Sequence, residues 1–207
     1  MIPRLYAIID PALLKDGSVS GVSWFVRELI NGGATLIQFR NKAGKAKEIL
    51  SQAREIRRVA SFHSSSVRLM MNDRADLCLA ADFDGVHVGQ EDLTQEGARR
   101  VVASQRWVGV STHNPEQVLA ADETNADYIA VGPTFQTTSK RNPDPVIGLE
   151  GIRQARELTS KPLVAIGGIT LENCRSVIDA GADGVAIISA LLADPRKRTE
   201  AFLRKLG

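Results

Sequence analysis

The feature that most constrains how this chain can fold is a recurrence of hydropathy. Eight short apolar runs, at 5–9, 36–39, 68–71, 85–88, 107–110, 128–131, 163–166 and 184–188, are spread along its length. They are β-rich, mostly continuous rather than alternating, and bounded by turn residues, as strands buried on both faces are. Stripes of helical spacing lie between them. Val22, Phe25, Val26, Leu29 and Ile30 form one, and Ile49, Leu50, Ala53, Ile56 and Ala60 a second. Leu149, Ile152, Ala155 and Leu158 form a third, and the tail offers Leu191, Leu192, Phe202 and Leu203. Asn114 and Thr170 open segments that read as helix N-termini, and Gly181 reads as a helix C-cap.

Strands alternating with helices, with no composition shift or flexible linker, predict one parallel α/β domain over residues 1–207. The count fits a closed (β/α)8 TIM barrel, a compact one because 207 residues lie near the lower limit of that fold. The short interval between Leu69 and Val86 is the weakest unit, and an open doubly wound sheet is the alternative. A hydrophobic content of 43% supplies a core without a disulfide or metal staple. Cys78 and Cys174 accordingly read as buried free thiols of a reducing compartment. Charge excludes one class of function: 26 basic residues balance 24 acidic ones without a dense basic run, and aromatics are only 5%. That leaves neither an electrostatic footprint nor a stacking platform for nucleic acid. No apolar stretch approaches the ~20 residues that span a bilayer, and the N-terminus lacks the pattern of a signal peptide. The expectation is a soluble cytoplasmic protein with no membrane partner, its oligomeric state open to a homo-oligomer.

In a barrel the residues that follow each strand converge on one face, where the active sites of this fold lie. Gln38, Phe39, Arg40, Asn41 and Lys42 close the second strand, and Asn72, Asp73 and Arg74 the third. Gly89, Gln90, Glu91 and Asp92 follow the fourth, and Ser111, Thr112 and His113 end the fifth. The sixth leads into a long polar loop, 133–147, whose Thr137, Thr138, Ser139 and Lys140 suit an anion and whose length suits a lid. Gly167 and Gly168 after the seventh strand, with Ile188 and Ser189 after the eighth, match the usual phosphate site of such barrels; a tight turn is the plainer reading of the glycines. Asp73 and Asp92 suit Mg²⁺, which takes one or two carboxylates and completes its octahedron with waters and phosphates, or else they cap helices. Arg40, Lys42 and Lys140 beside them suggest a polyphosphate with its metal. His87 is expected inside the barrel as a satisfied core residue, and His113 to transfer protons or cap a helix. Asp84, Asp127 and Asp183 fall at the opposite strand ends and read as stability.

The motifs Gln38-x-Arg40-x-Lys42, Asn72-Asp73-Arg74, Asp84 through Asp92, Gly109 through His113, Gly132-Pro133 with Thr137-x-Ser139-Lys140, Ala165 through Ile169 and Gly181 through Gly184 occur in one order along nearly the whole chain. In this the chain closely resembles the thiamine phosphate synthase (thiamine-phosphate pyrophosphorylase) family. The resemblance implies a TIM barrel that joins 4-amino-2-methyl-5-(diphosphomethyl)pyrimidine to 4-methyl-5-(2-phosphoethyl)thiazole. It implies one Mg²⁺ per subunit on Asp73 and Asp92. It implies a pyrimidine diphosphate site from Gln38 to Lys42 with Asn72, Ser111 and Lys140, of which Arg40, Lys42, Ser111 and Lys140 are catalytic and Arg40, Lys42 and Lys140 neutralise the leaving group. A thiazole phosphate site of Thr137, Thr138, Ser139, Gly168, Ile188 and Ser189 completes the set. Two positions depart from the family: Asn41 stands where Glu is frequent, and Ser139 where Thr is frequent. Ser139 keeps a hydroxyl, whereas Asn41 removes a charge between Arg40 and Lys42. The competing readings are a thiazole tautomerase-like enzyme using His113, a barrel that binds thiazole phosphate without turnover, and a Schiff-base aldolase using Lys42 or Lys140.

Overall fold

A computed structural model describes residues 1–63, 66–137 and 144–207. Its strands are β1 Leu5–Ile9, β2 Leu36–Phe39, β3 Arg68–Asn72, β4 Gly85–Val88, β5 Trp107–Thr112, β6 Tyr128–Val131, β7 Leu163–Ile166 and β8 Gly184–Ile187. The intervening helices are α1 Val19–Asn31, α2 Ala46–His63, α3 Ala75–Ala80, α4 Gln95–Val102, α5 Pro115–Asp122, α6 Gly148–Leu158, α7 Cys174–Asp179 and α8 Pro195–Leu206. All strand pairings are parallel, and β8 pairs with β1, so the sheet closes as the TIM barrel expected and not as an open doubly wound sheet. The short third unit is accommodated by a helix of only 6 residues, α3.

Alternation along each strand sorts the core into two layers. One set, including Val22, Phe25, Ile56, Phe39 and Phe202, is buried where strands meet helices. The other, with Tyr6, Ile8, Leu36, Met70, Tyr128, Val164 and Ala186, fills the barrel itself. Gly109 stands beside Tyr128 in the β5–β6 register. A Cβ at 109 would overlap the phenol ring, so glycine there makes room for a tyrosine inside the barrel.

The helix ends follow their sequence signals with one adjustment. Asn114 caps α5 by accepting the Gln117 N–H, and Gly181, at φ +114°, turns the chain after α7. Thr170 does not open α7: it forms a turn with Asn173, whose Oδ1 accepts the Thr170 N–H, and the helix starts at Cys174. Cys78 and Cys174 are free and buried.

Three aspartates stitch the N-terminal rim. Asp84, Asp127 and Asp183 accept the N–H groups of Leu69, Val108 and Leu163 at 2.7, 2.7 and 2.8 Å. The same carboxylates pair with Arg57, Arg99 and Arg156 at 2.8, 2.5 and 3.0 Å. Each clamp therefore ties the start of an odd-numbered strand to the helix of an even-numbered unit, which is the stabilising role expected of these residues. No helix among the described residues is long and apolar enough to cross a membrane.

Candidate active site

The opposite rim gathers most of the polar residues picked out from the strand ends. Asp73 takes a left-handed conformation, φ +61°, directly after β3, and its N–H donates to the His87 carbonyl at 2.8 Å. That turn aims its carboxylate at the mouth rather than at α3, whose N-cap position is Arg74 with no side-chain cap. Lys42 Nζ reaches Asp73 Oδ2 at 3.0 Å. Asp92 Oδ2 accepts the Gly89 N–H at 2.9 Å, while the cap of α4 is Thr94. Helix capping therefore explains neither carboxylate.

Burial, and then the neighbouring Asp92 carboxyl, push the Asp73 carboxyl above its usual range, with Lys42 opposing. The two close carboxylates form a hard oxygen donor set. Among the described residues no group of three or more His, Cys, Asp or Glu could hold a metal. A pair of carboxylates that leaves its other positions to water and phosphate suits Mg²⁺, so Asp73 and Asp92 fit that ion.

Arg40 does not stand alone at the end of β2. It pairs with Asp10, which is 5% exposed and also accepts the Ala12 N–H at 3.0 Å. The sequence reading overlooked Asp10, although it follows β1 as the other site residues follow their strands. Two members of the expected pyrimidine site have side chains engaged by the fold. The Phe39 side chain is fully buried between strands and helices, because its parity along β2 is opposite to that of Gln38. Asn41 uses both ends of its amide: Nδ2 donates to Gln52 Oε1 on α2 at 2.9 Å and Oδ1 accepts the Gly44 N–H at 2.8 Å. Asn72 ends β3, half-buried.

Gln38 and Ser111 lie over a buried set of hydroxyls and an imidazole. Gln38 Nε2 donates to the Tyr6 hydroxyl at 2.8 Å, and Tyr6 and Tyr128 are joined through their hydroxyls at 2.9 Å. His87 Nδ1 meets the Tyr128 hydroxyl at 2.8 Å and its Nε2 meets Ser111 Oγ at 2.8 Å. Burial pushes the His87 imidazole down to about 4, which keeps it neutral. His87 is thus the satisfied interior histidine expected. Tyr6 and Tyr128 escaped notice because each sits within an otherwise apolar strand.

The residues expected to bind phosphate follow β7 and β8, which are paired neighbours in the sheet. Gly167 and Gly168 take φ +97° and +63°, and a Cβ on Gly168 would overlap the Gln136 carbonyl. The start of the long loop packs onto this turn, Thr134 N–H donating to Ile166 O at 2.7 Å and Phe135 N–H to Gly167 O at 3.0 Å. Ile188 precedes, and Ser189 begins, a short 3₁₀ turn after β8. Thr137 is half-buried at the edge of the loop; Thr138, Ser139 and Lys140 lie outside the described residues. His113 holds the other side of the loop, with Nδ1 donating to the Gly132 carbonyl at 2.6 Å and Nε2 3.6 Å from Asp144.

A sequence profile of the family described as thiamine monophosphate synthase matches residues 5–191. The chain is 58% identical, over 99% of its own length and 96% of the other, to a thiamine-phosphate synthase of Koribacter versatilis (strain Ellin345). A thiamine-phosphate synthase of Chloroflexus aurantiacus is 42% identical over 92% of this chain and 85% of that one. A solved thiamine phosphate pyrophosphorylase from Pyrococcus furiosus superposes with a TM-score of 0.85 at 36% identity, covering 98% of this chain and 95% of the other.

Proposed function

The chain belongs to the thiamine monophosphate synthase family and is an enzyme, a transferase, and on that premise we propose how its rim performs the reaction. The substrates are 4-amino-2-methyl-5-(diphosphomethyl)pyrimidine and 4-methyl-5-(2-phosphoethyl)thiazole, or the carboxylated thiazole, and the products are thiamine monophosphate and pyrophosphate, with CO2 as a further product from the carboxylated thiazole. The observation that carries this reading is the meeting of Asp73, Asp92 and Lys42 at one strand-end rim, with an Asp10-anchored Arg40 at the end of the neighbouring strand.

The C–O bond between the pyrimidine methylene and the diphosphate breaks with its electron pair leaving on pyrophosphate. The electron-rich aminopyrimidine carries the developing cation, and the thiazole nitrogen closes the C–N bond with its lone pair. The nucleophile has no proton to lose, so no general base is required. Asp73 and Asp92 would hold one Mg²⁺ per subunit, which when bound neutralises charge on the departing diphosphate. Arg40 and Lys42 bind the same diphosphate, Lys42 exchanging Asp73 for phosphate oxygens, and Lys140 joins them from the loop. A charge-assisted hydrogen bond contributes on the order of 1.5–3 kcal/mol, so several aimed at one leaving group supply a large part of the barrier reduction. Asn72, Gln38 and Ser111 orient the pyrimidine. Gly168, Ile188 and Ser189, with Thr137, Thr138 and Ser139, bind the thiazole phosphate, and the 133–147 loop excludes water from the cation. A reducing, cytoplasmic setting belongs to the same proposal and agrees with two free thiols. Exposed Trp24 and Phe62 on α1 and α2 are compatible with a homo-oligomer.

Purified protein given both substrates and Mg²⁺ forms thiamine monophosphate and releases pyrophosphate; absence of product from folded protein overturns the reading. Full activity in chelator would remove Mg²⁺ alone. In single-turnover kinetics Lys140→Ala slows the bond-breaking step by about a hundredfold while thiazole phosphate binding is little changed.

A further inference from the structure

A chain of hydrogen bonds under the rim joins Gln38 and Ser111, two residues of the proposed pyrimidine site, through three residues to which that proposal gives no substrate contact. It runs Gln38, Tyr6, Tyr128, His87, Ser111, with links of 2.8, 2.9, 2.8 and 2.8 Å, from β2 through β1, β6 and β4 to β5. Gln38, Tyr6, Tyr128 and His87 are all buried, so water does not compete for these groups. The rings are packed as well as bonded: Tyr128 stacks on His87 with centroids 5.5 Å apart and meets Tyr6 edge-on at 5.8 Å.

The donor and acceptor roles along such a chain are not independent. An amide Nε2 can only donate, so the Tyr6 oxygen accepts from Gln38 and must pass its own O–H to Tyr128. Tyr128 then accepts from Tyr6, and its hydroxyl donates to His87 Nδ1. The imidazole accepts at Nδ1, carries its proton on Nε2, and donates that proton to Ser111 Oγ. With its oxygen occupied from below, Ser111 has its own O–H left for the mouth of the barrel. Running the chain in the opposite sense would have the Tyr6 oxygen accept from both Gln38 and Tyr128 and leave its own buried O–H without an acceptor.

We propose that Tyr6, Tyr128 and His87 are positioning residues that form a one-way hydrogen-bond relay, committing Ser111 as a donor and the Gln38 carbonyl as an acceptor toward the pyrimidine. A 4-aminopyrimidine matches that polarity, since its ring nitrogens accept and its exocyclic amino group donates. A 4-oxopyrimidine of the same shape presents the reverse, a ring N–H and a carbonyl. The relay thus selects amino- over oxopyrimidine diphosphate without any of its three members touching either. This rests on the synthase reading above.

Two measurements test it. In the first, ¹⁵N NMR of the resting protein, without substrate, shows His87 as the Nε2–H tautomer; an Nδ1–H tautomer overturns the relay whether or not the protein is a synthase. In the second, the ratio of kcat/KM for the amino substrate to that for its 4-oxo analogue is compared among variants. Each variant sees the same two substrates, so their intrinsic reactivity cancels. Tyr128→Phe removes one hydroxyl, frees Ser111 to turn, and lowers the ratio by about tenfold, the worth of roughly one hydrogen bond. Tyr6→Phe, one link further away, lowers it in the same direction, and His87→Gln, which keeps an acceptor and a donor, retains more of it than His87→Phe. A ratio equal to wild type in both tyrosine variants overturns the proposal while leaving the synthase assignment intact. A wild-type protein that makes no thiamine monophosphate overturns the assignment, and the tautomer still decides the relay.

Discussion

The two rims of the barrel use the same residue types to opposite ends. On the N-terminal rim each of Asp84, Asp127 and Asp183 is closed off by one arginine and one strand amide, and the arrangement recurs in every second βα unit from the fourth strand on. On the C-terminal rim burial and then the neighbouring Asp92 carboxyl hold the Asp73 carboxyl above its usual range, and the cation facing Asp73 is Lys42, whose side chain is 52% exposed. Charge that serves folding is matched within the fold. Under the proposed function, charge on the other rim is left in partial conflict, to be resolved when a cation and a polyanion arrive together.

Substitutions on the two rims should therefore separate activity from stability. The largest effect expected is in Asp92→Ala: kcat/KM at limiting Mg²⁺ falls by about a hundredfold, a size typical of losing one charge-stabilising group, and excess Mg²⁺ restores part of it. A Mg²⁺ titration of pyrophosphate release checks this, and an unchanged metal dependence would take Asp92 out of the site. Asp127→Ala, on the other rim, strands the Val108 N–H and Arg99 and costs about 2 kcal/mol of stability. Its urea midpoint drops while kcat per folded molecule stays at the wild-type value; a lowered kcat with intact stability would erase the division between rims.

Asp73→Asn should have the smallest effect and an unusual sign. The folded protein holds the Asp73 carboxyl above its unfolded value, so that group favours folding most in acid and loses the contribution as pH rises through its folded value. Asparagine tolerates the left-handed backbone at this position and carries no charge, so without metal the variant melts slightly higher than wild type at neutral pH, by about 2 °C or less. The gain disappears as pH is lowered. Added Mg²⁺ reverses the order, because it stabilises only the protein that binds it. Thermal melts at two pH values, with and without Mg²⁺, read all four cases, and equal melting temperatures throughout would mean that the rim carries no stored conflict.

Much of this was legible in the sequence, and the reasons for success and failure differ by residue. The eight alternating strand–helix units, the capping of α5 by Asn114, the stabilising aspartates and the interior place of His87 follow from period, cap chemistry or strand-end position, whereas closure of the barrel rests on the strand count and the family resemblance. Each of the former depends on a few consecutive residues. The family resemblance carries Phe39 and Asn41 into the pyrimidine site with the whole run from Gln38 to Lys42; only the structure shows that parity turns the Phe39 side chain toward the helices and that Gln52 and Gly44 hold the Asn41 amide. Asp10 was missed although the strand-end rule covers it, since nothing local shows that Arg40 lies within reach of it.

The amino-acid sequence alone determined the number and order of strands, the polar residues collected at their ends, the glycines of the phosphate turn, and the family to which the chain belongs. Only the tertiary structure decided which of those residues meet: Arg40 with Asp10, Lys42 with Asp73, and Gln38 with Ser111 by way of Tyr6, Tyr128 and His87. Hydropathy period and turn chemistry are properties of short windows. Contacts across a closed barrel depend on strand tilt and stagger summed around the whole ring, and no window of the sequence contains that sum.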